Sequence, residues 1–332
     1  GTRYTVADGM RDGNVLGFDS VPQPTYKDKD LRKAVALEKA KAQDETEVFA
    51  NDSKKKIYMH WMYDVPMGEQ LDDDGDSLES IEGCLTDAQY NRDEHRKAVI
   101  DDILDNWVSQ SHNGKFHAIL ATSSIPEAIK YYKLFAQRDC GLKTTAVFDP
   151  SDGNNESSIE KIDGIAQMLE DYNSLFGTCF NISGYASFKR DVCARLTHKT
   201  PYTAVENEPS KCLDILIVVD QMLTGYDSKW LNTLYMDKFY KWSNIEMIIQ
   251  AFSRTNRVFN DDKPHGIIRY YRRPYTMKNI IEYAFEQYSG QKPYGIFVAK
   301  LIQNLENMNA AFSDINDIFK IAGIPDFFKT SR

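Results

Sequence analysis

The run Leu213-Asp214-Ile215-Leu216-Ile217-Val218-Val219 is apolar at six of its seven positions. A strand with one wet face alternates, whereas a strand covered on both faces need not, and Val/Ile-rich runs of this length suit the interior of a parallel sheet. The pattern repeats outward from it. Upstream, Phe116-His117-Ala118-Ile119-Leu120-Ala121 reads as a strand, Thr122-Ser123-Ser124 as a helix start, and Ile125, Ala128, Ile129 and Tyr132 as one helix face. A second strand at 143–148 is closed by Asp149-Pro150, and helical periodicity covers 159–175 and 185–196. Downstream, 231–236 and 266–271 read as strands on either side of a helix expected over 243–257. Before the first strand, Ile100, Ile103, Leu104, Trp107 and Val108 share one helix face. Strands separated by helices over some 160 residues predict an α/β fold, an open and mostly parallel sheet flanked by helices.

The flanks differ. Residues 1–90 are polar, with a Pro/Lys/Asp-rich loop from Pro22 to Asp30, a helix expected over 31–43 and the acidic loop Asp72-Asp73-Asp74-Gly75-Asp76; they read as a connector. The loop lacks the Glu that closes a calcium loop at its twelfth position, which argues against a metal there. After Pro274, helical patterns at 278–288, 295–308 and 314–322 follow without strands, predicting a helical extension over 274–332. The expected division is therefore 1–90, 91–273 and 274–332.

Composition excludes several classes. With 332 residues, 42% hydrophobic and 27% charged, the chain is neither disordered nor collagenous nor a disulfide miniprotein. Mean hydropathy is −0.51 and no apolar run approaches the roughly 18–20 residues of a membrane span, so a soluble protein is expected. Five cysteines without C-x-x-C spacing point to a reducing, cytoplasmic setting. His60, His95, His112, His117, His198 and His265 lack metal-ligand spacing, so no metal site is expected. The chain opens Gly1-Thr2-Arg3 without a methionine, the start expected of a piece of a longer protein. Net charge is −9, but unevenly spread. Residues 68–105 hold 13 acidic against 3 basic side chains, and 229–278 hold 10 basic against 4 acidic ones, which suggests one anion-facing surface on an acidic body.

Open parallel sheets bind ligands in loops at the C-terminal strand ends. Thr122-Ser123-Ser124 offers three hydroxyls and backbone N–H groups at a helix start, a phosphate cradle or a plain N-cap. Thr224-Gly225-Tyr226-Asp227 follows the buried strand, with a glycine that allows close backbone approach. In Gln250-Ala251-Phe252-Ser253-Arg254-Thr255-Asn256-Arg257, a helix of about 100° per residue would bring Gln250, Arg254 and Arg257 within about 60° of one another. Planar guanidiniums suit bidentate contact with phosphate, and no acidic residue between Gln250 and Asn260 neutralises them locally.

Together these segments carry a resemblance. The stretch from Val218 to Asp227 resembles motif V of superfamily 2 helicases in the variant found in type I restriction enzymes. Gln250-x-x-x-Arg254-x-x-Arg257 resembles their motif VI, and 116–124 with the helix behind it resembles motif IV. Residues 4–16 are similar to the segment after the first motor domain of the R (motor) subunit, and the tail after Pro274 to that subunit's helical extension. Ser253 and Asn256 stand where most superfamily 2 motifs carry glycine and match the restriction-enzyme variant.

The resemblance implies a second RecA-like lobe of a motor that hydrolyses ATP between two lobes and pumps double-stranded DNA past a bound complex. Arg254 and Arg257 would then be arginine fingers, with Gln250 beside them and Asp227 near the ribose. Thr224 and Gly225 would couple nucleotide state to the DNA backbone, and Thr122, Ser123 and Ser124 would touch phosphates. ATP and Mg would be held mainly by the first RecA-like lobe of the same polypeptide, and the modification and specificity subunits would be partners. No membrane partner is implied.

No G-x-x-x-x-G-K-[ST] occurs, since Gly114-Lys115 is followed by Phe116. Asp93-Glu94-His95 mimics a DEAH box without an apolar strand before it, and Asp261-Asp262-Lys263 mimics half a nuclease site without a partner strand. By itself the chain is expected to lack ATPase and nuclease activity. Two alternatives stay open at this level: the second lobe of another superfamily 2 remodeller, and a DNA-binding or subunit-docking module without catalytic duty.

Overall fold

A computed structural model describes residues 8–9, 12–138, 140–148, 158–219 and 226–288, together with 312, 315 and 319. Six strands form one sheet: β1 (Gly17–Pro22), β2 (His117–Thr122), β3 (Thr144–Val147), β4 (Ile215–Val218), β5 (Leu231–Asp237) and β6 (His265–Tyr270). Their order is β1-β6-β5-β2-β4-β3, and every pairing is parallel. The open parallel α/β sheet expected of a RecA-like lobe is therefore what the chain forms.

The apolar run explains the centre. All four residues of β4 and all six of β2 are buried, and the register Ile119↔Leu216 and Ile119↔Leu234 puts β2 between β4 and β5. Helices fill the connections: α5 (Asp93–Gln110) precedes β2, α6 (Ile125–Arg138) links β2 to β3, and α7 (Ser158–Phe176) and α8 (Tyr185–Leu196) lead to β4. On α5, Val99, Ile100, Ile103 and Trp107 are buried and Leu104 partly so, while Val108 is exposed, so the apolar stripe is shifted toward Val99 and away from Val108.

β1 lies in the stretch read as a connector. Only Phe18 of Gly-Phe-Asp-Ser-Val-Pro is buried, and Pro22 is tolerated because the strand is an edge. The residues behind it form a small helical annex of α1 (Asp28–Lys39), α2 (Glu45–Phe49) and α3 (Asp52–Met59), with its own core of Val35, Ala36, Val48, Tyr58, Trp61 and Ile81. After the short α4 (Asp87–Tyr90), the chain enters the sheet region. Glu82 of the annex, nearly fully buried, accepts the N–H groups of Tyr275 (3.1 Å) and Thr276 (2.6 Å). It thereby caps α10 (Pro274–Tyr288), the described part of the helical extension. In the acidic loop, Asp72 Oδ1 accepts the N–H groups of Asp74 (3.0 Å) and Asp76 (2.9 Å), so the turn is satisfied from within. Among the described residues, no helix is long and apolar enough to cross a membrane.

Candidate functional site

The basic motif hangs from α9 (Ile245–Phe252), which buries Ile248, Ala251 and Phe252 and exposes Gln250. The helix is five residues shorter at its C-terminal end than the 243–257 expected, and this corrects the shared-face reading. Ser253 closes it, and Arg254 and Thr255 bond back to Ala251 and Phe252, a tightened last turn. Thr255 is fully buried with its hydroxyl on the Phe252 carbonyl (3.0 Å), and the Asn256 carbonyl accepts the Leu16 N–H (2.8 Å). Such side-chain and tertiary bonds outcompete about one and a half further turns of helix.

Arg254 and Arg257 converge nonetheless, through a different partner. Arg254 donates Nη1 to the Tyr226 carbonyl (2.8 Å) and Nε to the Gln250 carbonyl (3.2 Å). Arg257 donates Nε to Asp227 Oδ1 (2.7 Å) in a pair whose two side chains are 42% and 63% exposed. The carboxylate absent from 250–260 is thus supplied by the loop before β5, thirty residues upstream of Arg257. Burial and the neighbouring Arg257 lower the Arg254 pKa, from a starting point so high that the group stays charged. Lys263, almost fully buried, donates Nζ to the carbonyls of Leu231 (2.7 Å) and Lys229 (3.2 Å). Burial first, and then the Arg257 charge, bring its pKa down to about 7.

This cluster lies where β2, β5 and β6 begin, at the N-terminal edge of the sheet. Thr122, Ser123 and Ser124 lie at the other edge, roughly 17 Å away along β2 at about 3.3 Å per residue. Thr122 is fully buried and its hydroxyl donates to the Val218 carbonyl (3.0 Å), so the expected side-chain contact of Thr122 with phosphate is withdrawn. Ser123 is exposed, and Ser124 Oγ accepts the Glu127 N–H (3.4 Å) as a helix cap. Thr224 and Gly225 lie outside the described residues.

Two features escaped the sequence reading. The C-terminal edge holds a buried ionic network. Asp237, at the end of β5, binds His95 Nε2 (2.7 Å), Arg272 Nε (2.9 Å) and the Tyr131 hydroxyl (2.9 Å), while Glu127 takes both arms of Arg96 at 2.7 Å. Burial alone would raise the Asp237 carboxyl, but His95 and Arg272 outweigh it and hold the pKa at about 2. His95 of the DEAH mimic is therefore a core contact, while Asp93 and Glu94 are exposed. The second feature is the bond between the Tyr226 hydroxyl and His117 Nε2 (2.8 Å), both residues buried. Charged residues flanking apolar runs hinted at the first; nothing in the spacing signalled the second.

Residues 114–273 match the family described as T1R_D3-like, type I restriction enzyme subunit R domain 3. A type I restriction enzyme endonuclease subunit of Staphylococcus saprophyticus is 32% identical over 278 residues, covering 81% of this chain and 24% of the relative. A counterpart from Staphylococcus aureus is 29% identical over 277 residues with the same coverage. The HindI endonuclease subunit of Haemophilus influenzae is 42% identical over 60 residues, 18% of this chain and 5% of the relative. Among solved structures, the C-terminal part of the Fun30 ATPase domain aligns at 13% identity with a TM-score of 0.29, covering 77% of this chain and 63% of that one. The chain spans about a quarter of the length of its staphylococcal relatives. With domain 3 across five of its six strands and that similarity running through four-fifths of its length, the chain belongs to the type I restriction enzyme R-subunit family.

Proposed function

We propose that this chain is the second RecA-like lobe of an ATP-dependent, DNA-translocating motor in a cytoplasmic type I restriction enzyme. In this reading Arg254 and Arg257 reach a nucleotide held by the first lobe, and their guanidiniums oppose the charge that develops on the γ-phosphate during hydrolysis. Gln250, exposed one turn before Arg254, borders the same cleft. Asp227 holds Arg257 while the cleft is open and faces the ribose when it closes. Ser123 and the exposed rim of the C-terminal edge contact the DNA backbone, and the modification and specificity subunits complete the assembly. Mg2+ and most nucleotide contacts fall to the first lobe.

The observation that carries the reading is the convergence of two arginines on Tyr226–Asp227 at one edge of the sheet, in a chain whose sequence lacks a P-loop. Removing a finger of this kind costs about 10³–10⁵ in rate. In the full-length R subunit, Arg254→Ala is expected to abolish ATP hydrolysis while ATP binding persists, and wild-type turnover in that variant would refute the proposal. The chain expressed alone is expected to show no turnover above background in the same assay.

A further inference from the structure

We infer that His117 and Tyr226 are positioning residues for Arg254: their buried bond fixes the carbonyl on which that guanidinium is seated. The inference rests on the function proposed above. Tyr226 uses both ends. Its carbonyl accepts Arg254 Nη1 at 2.8 Å, and its hydroxyl lies 2.8 Å from His117 Nε2.

His117 grips the segment twice. Besides the side-chain bond, its backbone N–H donates to the Trp230 carbonyl (3.1 Å). Burial, helped by the charges of His198 and Lys263, pushes the imidazole well below its usual pKa, so the ring is neutral. Burial raises the Tyr226 phenol, which therefore keeps its proton. The phenol accordingly donates and Nε2 accepts. Between these anchors, Ser228 Oγ donates to the Leu196 carbonyl (3.1 Å), Lys263 holds the Lys229 and Leu231 carbonyls, and the His198 ring stacks on Trp230 at 3.9 Å and 15°.

Residues 226 and 228 to 231 are thus each held by a bond or ring contact. Asp227 is the residue that turns outward, to Arg257. A guanidinium that must meet charge only in the transition state gains from such a rigid seat, because preorganised donors need not rearrange as the charge appears. A misplacement of about 1 Å can cost on the order of 10²-fold in rate.

The test is ATP turnover by the full-length R subunit carrying Tyr226→Phe, which keeps the buried ring and removes only the hydroxyl. The inference expects kcat to fall about 10- to 100-fold with KM for ATP unchanged. In an Arg254→Ala background, followed with radiolabelled ATP, the same change should cost nothing further. His117→Gln, which places an amide oxygen near the Nε2 position, should retain more turnover than His117→Leu. Wild-type kcat in Tyr226→Phe beside a dead Arg254→Ala overturns the positioning role and leaves the function standing. An equal further loss in the Arg254→Ala background also overturns it. Wild-type turnover in Arg254→Ala removes the function and the inference together.

Discussion

Arg257 and Asp227 form an ion pair in which both side chains remain in contact with water. Exposed pairs of this kind contribute about 0–1 kcal/mol to stability. Asp227→Ala is therefore expected to shift the urea unfolding free energy by less than about 1 kcal/mol. If turnover of the full-length subunit nevertheless falls, the carboxylate serves the nucleotide cleft rather than the fold; a large loss of stability would contradict this. That Arg254 and Arg257 come together was legible in sequence because the two lie three residues apart. Their partner was not, since a 30-residue separation carries no spacing signal. The helical-face geometry misled for a related reason: Thr255 and Asn256 take tertiary bonds that periodicity cannot register. Thr122 shows the opposite error. A hydroxyl at a strand end looks available to a ligand until the neighbouring strand's carbonyl claims it.

At the scale of elements, α9 is the lever that carries the basic motif, and it is fixed by aromatic packing. The rings of Phe18 on β1, Phe252 on α9 and Phe285 on α10 meet pairwise with centroids 5.4 Å apart. Truncation of a buried Phe typically costs about 3–5 kcal/mol, and Phe252→Ala should lose that much in denaturant unfolding. The turn after α9 leans equally hard on β6. A Cβ added at Gly266 would stand 2.8 Å from Thr255 Cβ and 2.9 Å from its carbonyl oxygen. Gly266→Ala is thus expected to destabilise by about 1–3 kcal/mol and to displace the arginines, lowering turnover more than stability alone explains. A variant with wild-type melting and turnover would show that the 253–257 turn yields freely. The central strands were readable because β2 and β4 are covered on both faces. β1 was not, because an edge strand with one buried side chain, Phe18, shows no periodicity.

Across the whole molecule, the buried network at the C-terminal edge binds α5 through His95, β5 through Asp237 and the β6–α10 junction through Arg272. His95 and Asp237 alone lie 142 residues apart, which is why no motif announced the network. Removing one partner from a buried charged pair costs about 3–5 kcal/mol, and Asp237→Asn should do so in urea unfolding at neutral pH. Because the fold holds this carboxyl at about 2 against a usual 3.8, its contribution is complete above about pH 4 and is lost as pH falls through 2. The Asn variant should therefore show a flatter stability profile over that window than the native chain. The network ties together one edge of the sheet while the arginine pair occupies the other. The most direct measurement is ATP affinity and turnover, side by side, for Arg257→Ala in the full-length R subunit. Unchanged affinity with turnover reduced by about 10³-fold or more is the expected result; native turnover, or a loss explained entirely by weaker ATP binding, would contradict the role proposed for Arg257.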